Sequence, residues 1–180
     1  MKDRWEIILS GVGGQGLIMS GTILGRAATV YEGKNATLTS SYGIETRGTL
    51  AKSDVIISEE DIYFPEVMKE DIVLALAPVA YERYISSMDK DAMLIYDSSL
   101  ITDIRETGVK QYGYPITDIA RQLGNAAAAN MAALGIIVRK TGVVSEASVI
   151  KAINNSFSNK PQVIELNHKA FMEGLHLVQV

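Results

Sequence analysis

The feature that most constrains the fold is a glycine-rich segment between a short apolar run and a long helical pattern. Residues 7–10 predict a buried strand, which breaks at Gly11-Val12-Gly13-Gly14-Gln15-Gly16. An apolar helical pattern follows and ends near Gly33. Glycines at such a junction permit a tight turn, and the helix N-terminus offers unpaired N–H groups to an anion. The segment therefore predicts a strand–loop–helix unit whose loop can approach a ligand closely.

Short apolar runs and helical patterns alternate along the rest of the chain. Strands are predicted at residues 36–40, 49–58, 71–76 and 92–96, with a weaker candidate at 109–112. A helix is predicted at 79–88, and the sequence is helical from Pro115 onward. This order predicts an α/β fold with a Rossmann-like, mainly parallel twisted sheet, helices on both faces and a helical C-terminal third. No repeat or linker is visible, so residues 1–180 are expected to form a single domain.

Composition excludes several kinds of site. The chain has no cysteine and two histidines, which excludes cysteine-ligated iron–sulfur clusters and disfavours an imidazole metal site. Its net charge of −4 gives no general attraction to nucleic acid. The apolar run at the N-terminus is too short for a signal peptide or a membrane span. We therefore expect a cytoplasmic protein that binds no metal, no nucleic acid and no membrane.

The glycine segment has the spacing of a dinucleotide-binding loop without the residues that complete one. Gly11, Gly13 and Gly16 match G-x-G-x-x-G, but the second predicted strand ends without the carboxylate that would hold a ribose. Leu17-Ile18 stand where a triphosphate-binding loop needs a lysine and a hydroxyl. NAD and ATP are thus disfavoured. Two interpretations stay open: the glycines only let the helix pack on the sheet, or they contact a phosphate-bearing ligand, with Gln15 as an added donor.

The second predicted strand leads into Ser40-Ser41-Tyr42-Gly43-Ile44-Glu45-Thr46-Arg47-Gly48, which should be a loop. Here Tyr42 offers a stacking face, Glu45 an acceptor, and Arg47 a guanidinium that binds anions. If the first two strands are neighbours in a parallel sheet, this loop and the glycine segment lie side by side at the carboxyl edge. The alternative is that Glu45 and Arg47 form a surface ion pair of little energetic value.

Three motifs in series resemble a known family. They are Gly-Val-Gly-Gly-Gln-Gly at 11–16, Ser-Tyr-Gly-Ile-Glu-Thr-Arg-Gly at 41–48, and Gly124-Asn125 followed by Asn-Met-Ala-Ala-Leu-Gly at 130–135. Together they resemble the gamma subunit of 2-oxoacid:ferredoxin oxidoreductases over essentially the whole chain. The Ser-Tyr-Gly form favours the 2-oxoglutarate or 2-ketoisovalerate branch, and the indolepyruvate oxidoreductase small subunit is the alternative. The family loop commonly ends Arg-Gly-Gly, whereas this one ends Arg47-Gly48-Thr49.

The resemblance implies an accessory subunit of a thiamine diphosphate-dependent enzyme. Such an enzyme oxidatively decarboxylates a 2-oxoacid to an acyl-CoA and passes electrons through iron–sulfur clusters to ferredoxin. Thiamine diphosphate and Mg would then sit on alpha and beta subunits, and the clusters on a ferredoxin-like delta subunit. This chain would bind no cofactor alone and would contribute a surface close to coenzyme A or a surface for docking its partners.

The sequence predicts binding residues and no catalytic ones. Asn130 falls in an apolar helix, where an unpaired amide would cost about 1–3 kcal/mol, so it should bond to a neighbouring loop. No nucleophile–base pair can be assembled from the motifs. A stand-alone phosphate-binding module and a purely architectural subunit are the competing functions. The predicted contact residues are Gly11, Gly13, Gly14, Gln15, Gly16, Tyr42, Glu45, Arg47 and Asn130.

Overall fold

A computed structural model describes residues 2–42 and 49–179, with only the backbone given for Tyr42. The predictions for Glu45 and Arg47 therefore lie outside the described residues. Six strands form one sheet in the order β2-β3-β1-β4-β5-β6 within the described ranges. Their bounds are β1 Arg4–Val12, β2 Asn35–Tyr42, β3 Leu50–Ser58, β4 Ile72–Ala75, β5 Met93–Asp97 and β6 Lys110–Tyr114.

The helices follow the predicted order, and the last third of the chain is helical. Their bounds are α1 Leu17–Glu32, α2 Pro78–Ile85, α3 Ile116–Gln122, α4 Ala129–Thr141, α5 Glu146–Ser156 and α6 Pro161–His176. A short 3₁₀ turn, Ala126–Ala128, precedes α4 and is capped by the Asn125 side chain, which accepts from the N–H of Ala127. Of the helices in the described part of the chain, none is long and apolar enough to cross a membrane.

The sheet is mixed, with three parallel and two antiparallel pairings. Strands β1, β4, β5 and β6 are parallel neighbours, whereas β3 runs antiparallel to both β1 and β2. The α/β class with a mainly parallel sheet is confirmed. The condition that the first two strands are neighbours is not met, because β3 lies between them. Only residues 43–49 join β2 to β3, and a parallel crossover needs about a dozen residues, so this connection allows only an antiparallel pair.

Successive side chains of the central strands point to opposite faces of the sheet, and this divides the core into two layers. Ile7 and Leu9 of β1 face the larger layer, which α1 and α3–α6 cover. Ile8 faces the smaller layer, where Ala80 and Tyr81 of α2 pack. Both faces of the sheet are therefore covered by helices, as predicted. The larger layer holds α1 firmly on the sheet, and so fixes the position of the helix N-terminus next to the glycine segment.

Candidate functional site at the glycine-loop edge

The glycine segment and the ends of the β2–β3 connection lie at one edge of the sheet. Gly11 pairs with Ala51, which in turn pairs with Tyr42. The N–H of Gly13 donates to the carbonyl of Thr49 at 3.3 Å. Although β3 separates β1 from β2, the antiparallel turn returns the chain to the same edge. The two segments that sequence analysis singled out are thus anchored side by side at their described ends.

Gln15 fastens the glycine segment to the ends of two strands. Its Oε1 accepts from the N–H of Val12 at 2.8 Å, and its Nε2 donates to the carbonyl of Leu76 at 2.8 Å. A Cβ on Gly11 would lie 2.2 Å from Gln15 Oε1, so the amide can take this place only beside a glycine. The side chain that was predicted to donate to a ligand therefore spans the gap between the ends of β1 and β4.

Asn130 holds the start of α1 from a helix distant in sequence. Its Nδ2 donates to the carbonyl of Gly16 at 3.1 Å, and the predicted bond to a neighbouring loop is confirmed. Gly16 precedes α1 with φ +72°, and a Cβ there would lie 2.3 Å from Asn130 Nδ2. Gly14 also has a positive φ, +96°. Backbone conformation and side-chain contact both require glycine at position 16.

A cleft of about 390 Å³ opens between this segment, α1 and β3. The first-turn N–H groups of α1 have no acceptor within the helix. Gly16 is the N-cap residue, and as a glycine it has no side chain that could accept from them. Ile18 and Met19 form an apolar wall and remain 39% and 37% exposed. The lining residues are Val12, Gly13, Gly14, Gln15, Gly16, Leu17, Ile18, Met19, Thr22, Ala51, Lys52 and Ser53.

Lys52 supplies a positive charge that sequence analysis missed. Its Nζ lies 2.7 Å from Oδ2 of the buried Asp54. Burial alone would lower the pKa of Lys52, but the hydrogen bond and charge of Asp54 outweigh it, and the net effect raises the pKa of the ammonium. Lys52 is therefore cationic at neutral pH. The available signal was a pair of opposite charges, Lys52 and Asp54, two residues apart in a predicted strand, where side chains two apart lie on the same face.

The described side chains suit binding and form no metal site, and the sequence does not fit a cysteine-ligated iron–sulfur cluster. The chain has no cysteine, the ligand that clusters require. Among residues 2–42 and 49–179, no group of three histidine, aspartate or glutamate side chains could hold a metal. As far as the described residues show, the cleft instead combines backbone N–H groups without an acceptor inside α1, the ammonium of Lys52 paired with Asp54, and an apolar wall. Such a surface suits an extended anionic molecule with an apolar portion.

Comparison with known proteins identifies the family. Residues 6–177 match the family described as pyruvate ferredoxin/flavodoxin oxidoreductase. The chain belongs to this family. The 2-oxoglutarate synthase subunit KorC of Methanocaldococcus jannaschii is 40% identical over 182 residues, which cover 99% of this chain and 96% of that protein. An indolepyruvate oxidoreductase subunit IorB of Methanothermobacter thermautotrophicus is more distant, at 24% identity.

Two family structures share the fold. The keto/oxoacid ferredoxin oxidoreductase gamma subunit of Geobacter sulfurreducens has a TM-score of 0.83 and 37% identity, with 96% of each chain covered. A 2-oxoglutarate:ferredoxin oxidoreductase of Magnetococcus marinus, solved with 2-oxoglutarate, coenzyme A and succinyl-CoA, has a TM-score of 0.88 and 25% identity. The match covers 98% of this chain and 31% of that one. The predicted resemblance to gamma subunits and the assignment as a non-autonomous oxidoreductase subunit are confirmed.

Proposed function

We propose that this chain is the gamma subunit of a 2-oxoglutarate:ferredoxin oxidoreductase, and that its glycine-loop edge contacts coenzyme A between the partner subunits. The observation that carries the proposal is the cleft beside α1, in a chain similar over its whole length to a 2-oxoglutarate synthase subunit. Gln15 and Asn130 hold its glycine wall in place through backbone bonds.

The chemistry of coenzyme A matches this cleft. Its phosphates suit the N–H groups at the start of α1 and the ammonium of Lys52. Its pantetheine arm suits the apolar wall formed by Ile18 and Met19. We expect Tyr42, Glu45 and Arg47 to contact the ligand as well, with Arg47 as a bidentate phosphate ligand. Gly11, Gly13 and Gly14 would let the backbone approach the ligand closely.

The reaction itself would take place on cofactors of the partner subunits. When bound there, thiamine diphosphate with Mg would supply the decarboxylation chemistry, and iron–sulfur clusters would supply a path for electrons to ferredoxin. Alpha and beta subunits and a ferredoxin-like delta subunit are the proposed partners. The residues of this chain bind and orient coenzyme A so that its thiol can reach the acyl group, and they hold none of the cofactors.

Steady-state kinetics of the reconstituted complex test this proposal. Arg47→Ala should raise the Michaelis constant for coenzyme A about tenfold or more, because a charge-assisted hydrogen bond contributes about 1.5–3 kcal/mol. The Michaelis constant for 2-oxoglutarate should stay unchanged. Arg139→Ala is the matched control, since this exposed arginine pairs with Glu146 near the C-terminal end of α4.

Two outcomes would contradict the proposal. An unchanged Michaelis constant for coenzyme A, together with weaker assembly, would indicate a purely architectural subunit. Turnover of pyruvate, branched-chain or aryl 2-oxoacids in preference to 2-oxoglutarate would refute the substrate assignment. Both are measured on the same purified complex, so the ligand and the substrate are tested independently.

A further inference from the structure

The connection between β3 and β4 exposes large apolar side chains to water. Tyr63 is 92% exposed, Phe64 51% and Met68 74%. We propose that residues 60–68, called here the aromatic segment, dock into an apolar notch with a basic rim on the partner subunit of the complex. Exposed aromatic side chains on a soluble protein are typical of interaction sites, and aromatic residues are enriched among those that dominate binding energy.

The backbone on both sides of the aromatic segment is held in place. The carboxylate of Glu6 accepts from the N–H groups of Met68 and Lys69 at 2.8 and 3.2 Å. At the other end, the N–H of Glu60 donates to Ser58 Oγ at 3.0 Å. Pro65 restricts Phe64 to extended conformations. The segment thus presents its aromatic rings from fixed ends, which lowers the entropy lost on binding.

The two aromatic side chains do not belong to the hydrophobic core, whereas Val67 in the same segment packs against it. Val67 is half-buried and packs against the smaller core layer, with Ile8 and Tyr81 among its members. In the same segment, Tyr63 stays almost wholly in water and Phe64 is half exposed. The fold therefore uses one apolar residue of the segment as an anchor and leaves the two aromatic ones available.

The charges around the two aromatic rings indicate which charge the rim of the notch on the partner subunit should carry. Glu60 and Asp61 precede Tyr63, and Glu66 follows Phe64. All three residues are exposed. A complementary surface therefore needs lysine or arginine around an apolar centre, since like charges across an interface oppose association and opposite charges accelerate it.

The identity of the docking partner is inferred from a longer relative in which this domain is part of a larger polypeptide. This inference rests on the proposed function. In the Magnetococcus marinus oxidoreductase, the part similar to this chain is 31% of a single polypeptide. In the Methanocaldococcus jannaschii subunit, 96% of which is covered, the domain is a chain of its own, so the counterpart of the rest of that polypeptide has to be held by surface contacts alone. That counterpart is the partner subunit to which we assign the notch. The aromatic segment adjoins the proposed site, because Glu66 and Val67 line a 220 Å³ cavity with Lys52, which also lines the glycine-loop cleft.

Affinity of this subunit for the rest of the complex tests the inference. The double variant Tyr63→Ser with Phe64→Ser should weaken association between about tenfold and a hundredfold, mainly through faster dissociation. Val30→Ser is the matched control, because Val30 is 64% exposed on α1 and lies outside the segment. The thermal unfolding midpoint of the isolated double variant should stay close to that of the wild type, since Tyr63 is almost wholly exposed and Phe64 is half exposed.

The charges are tested separately. Glu60→Lys combined with Asp61→Lys should slow association, with the difference shrinking as salt is added. The inference is overturned if the aromatic double variant associates as tightly as the wild type, if Val30→Ser weakens association equally, or if the charge reversal leaves the association rate unchanged. A wild-type homodimer that the aromatic double variant splits would identify a second copy as the occupant and also overturn it.

The two proposals fail in different measurements. At saturating subunit concentration, the aromatic double variant should keep the wild-type Michaelis constant for coenzyme A. Loss of affinity in this variant while Arg47→Ala leaves that constant unchanged would support the docking segment and refute the coenzyme A site.

Discussion

Gln15 is the residue on which the shape of the glycine segment most depends. Gln15→Ala removes the acceptor of the Val12 N–H and the donor to the Leu76 carbonyl, and should lower the free energy of unfolding by about 1–3 kcal/mol. Urea denaturation measures this change. Gln122→Ala, at an exposed position, is the control and should stay within about 0.5 kcal/mol of wild type. Equal stability of the two variants would show that the loop holds its shape without the amide.

Gly16 and Asn130 should show coupled effects in a double-mutant cycle. Gly16→Ala faces both a positive φ and a contact of 2.3 Å with Asn130 Nδ2, and should destabilise the fold by about 2 kcal/mol or more. Asn130→Ala removes that contact, so the double variant should be more stable than the sum of the single effects predicts, by about 0.5 kcal/mol or more. Additive unfolding free energies would mean that backbone conformation alone requires the glycine.

Glu6 makes stability depend on pH. Burial alone would raise its pKa, but hydrogen bonds from Arg4 and from the N–H groups of Met68 and Lys69 outweigh it and lower the pKa below the ordinary 4.5. A lowered pKa in the folded state stabilises the protein above pH 4.5, and this contribution is lost as pH falls through the folded-state pKa. Glu6→Gln should therefore be less stable at neutral pH, with a gap that narrows in acid.

Unfolding curves of wild type and Glu6→Gln at several pH values measure that gap. Glu106→Gln removes one exposed carboxylate elsewhere and serves as the control, with an expected change below about 0.5 kcal/mol. A gap that stays constant from neutral to acid pH would show that the charge of Glu6 is not what stabilises the fold.

Helices α4 and α6 pack with their backbones close together at two glycines. A Cβ on Gly135 would lie 2.2 Å from the carbonyl oxygen of Phe171, and one on Gly174 would lie 2.0 Å from that of Ala132. Neither neighbour can move without displacing a helix. Gly135→Ala should thus destabilise the fold by more than about 2 kcal/mol.

For Gly25 of α1, we expect substitution by alanine to have the opposite effect on stability. The nearest atom to its added Cβ is Ala36 Cβ at 3.8 Å, an ordinary contact. Gly25→Ala should therefore stabilise the protein by about 0.5–1 kcal/mol through lower backbone entropy in the unfolded chain. Thermal or urea unfolding of Gly135→Ala and Gly25→Ala measures both changes in the free energy of unfolding. A similar loss of stability at the two positions would refute the packing argument.

The elements were predictable where their signal is local. Buried strands β4 and β5 are continuous apolar runs, and the caps of α5 and the 3₁₀ turn follow from Ser145 and Asn125. Strand direction is not encoded in such runs, because a buried parallel and a buried antiparallel strand present the same pattern. The length of the β2–β3 connection carried that information, because it is too short for a parallel pairing of β2 with β3.

The candidate site was predictable in location but less so in the role of each residue. Asn130 was identified because an amide in an apolar helix needs a partner. The bond from Gln15 to Leu76 was not predicted, because the two residues are 61 positions apart and no sequence pattern links them. The contact of Gln15 with a ligand stays a prediction. Lys52 was missed because its position over the cleft depends on the β1–β3 register, which only the folded sheet defines.

At the scale of the whole molecule, strand order decides which nucleotides the fold can accept. A dinucleotide fold places a parallel second strand beside β1, with a carboxylate at its end for the ribose. Here antiparallel β3 occupies that position, and β2 ends in Ser40-Ser41-Tyr42 one strand further out. The gap between β1 and β4, where a pyrophosphate would enter, is spanned by the Gln15 amide.

These features predict that the isolated chain does not bind NAD. Calorimetric titration should show no heat of binding at about 1 mM NAD, the weak end of specific affinities. Gln15→Ala should not restore binding, since removing the amide opens the gap but supplies neither a parallel strand nor a carboxylate. Measurable NAD affinity in the variant alone would make Gln15 the sole barrier. Affinity in the wild type would mean that the antiparallel strand beside β1 does not prevent dinucleotide recognition.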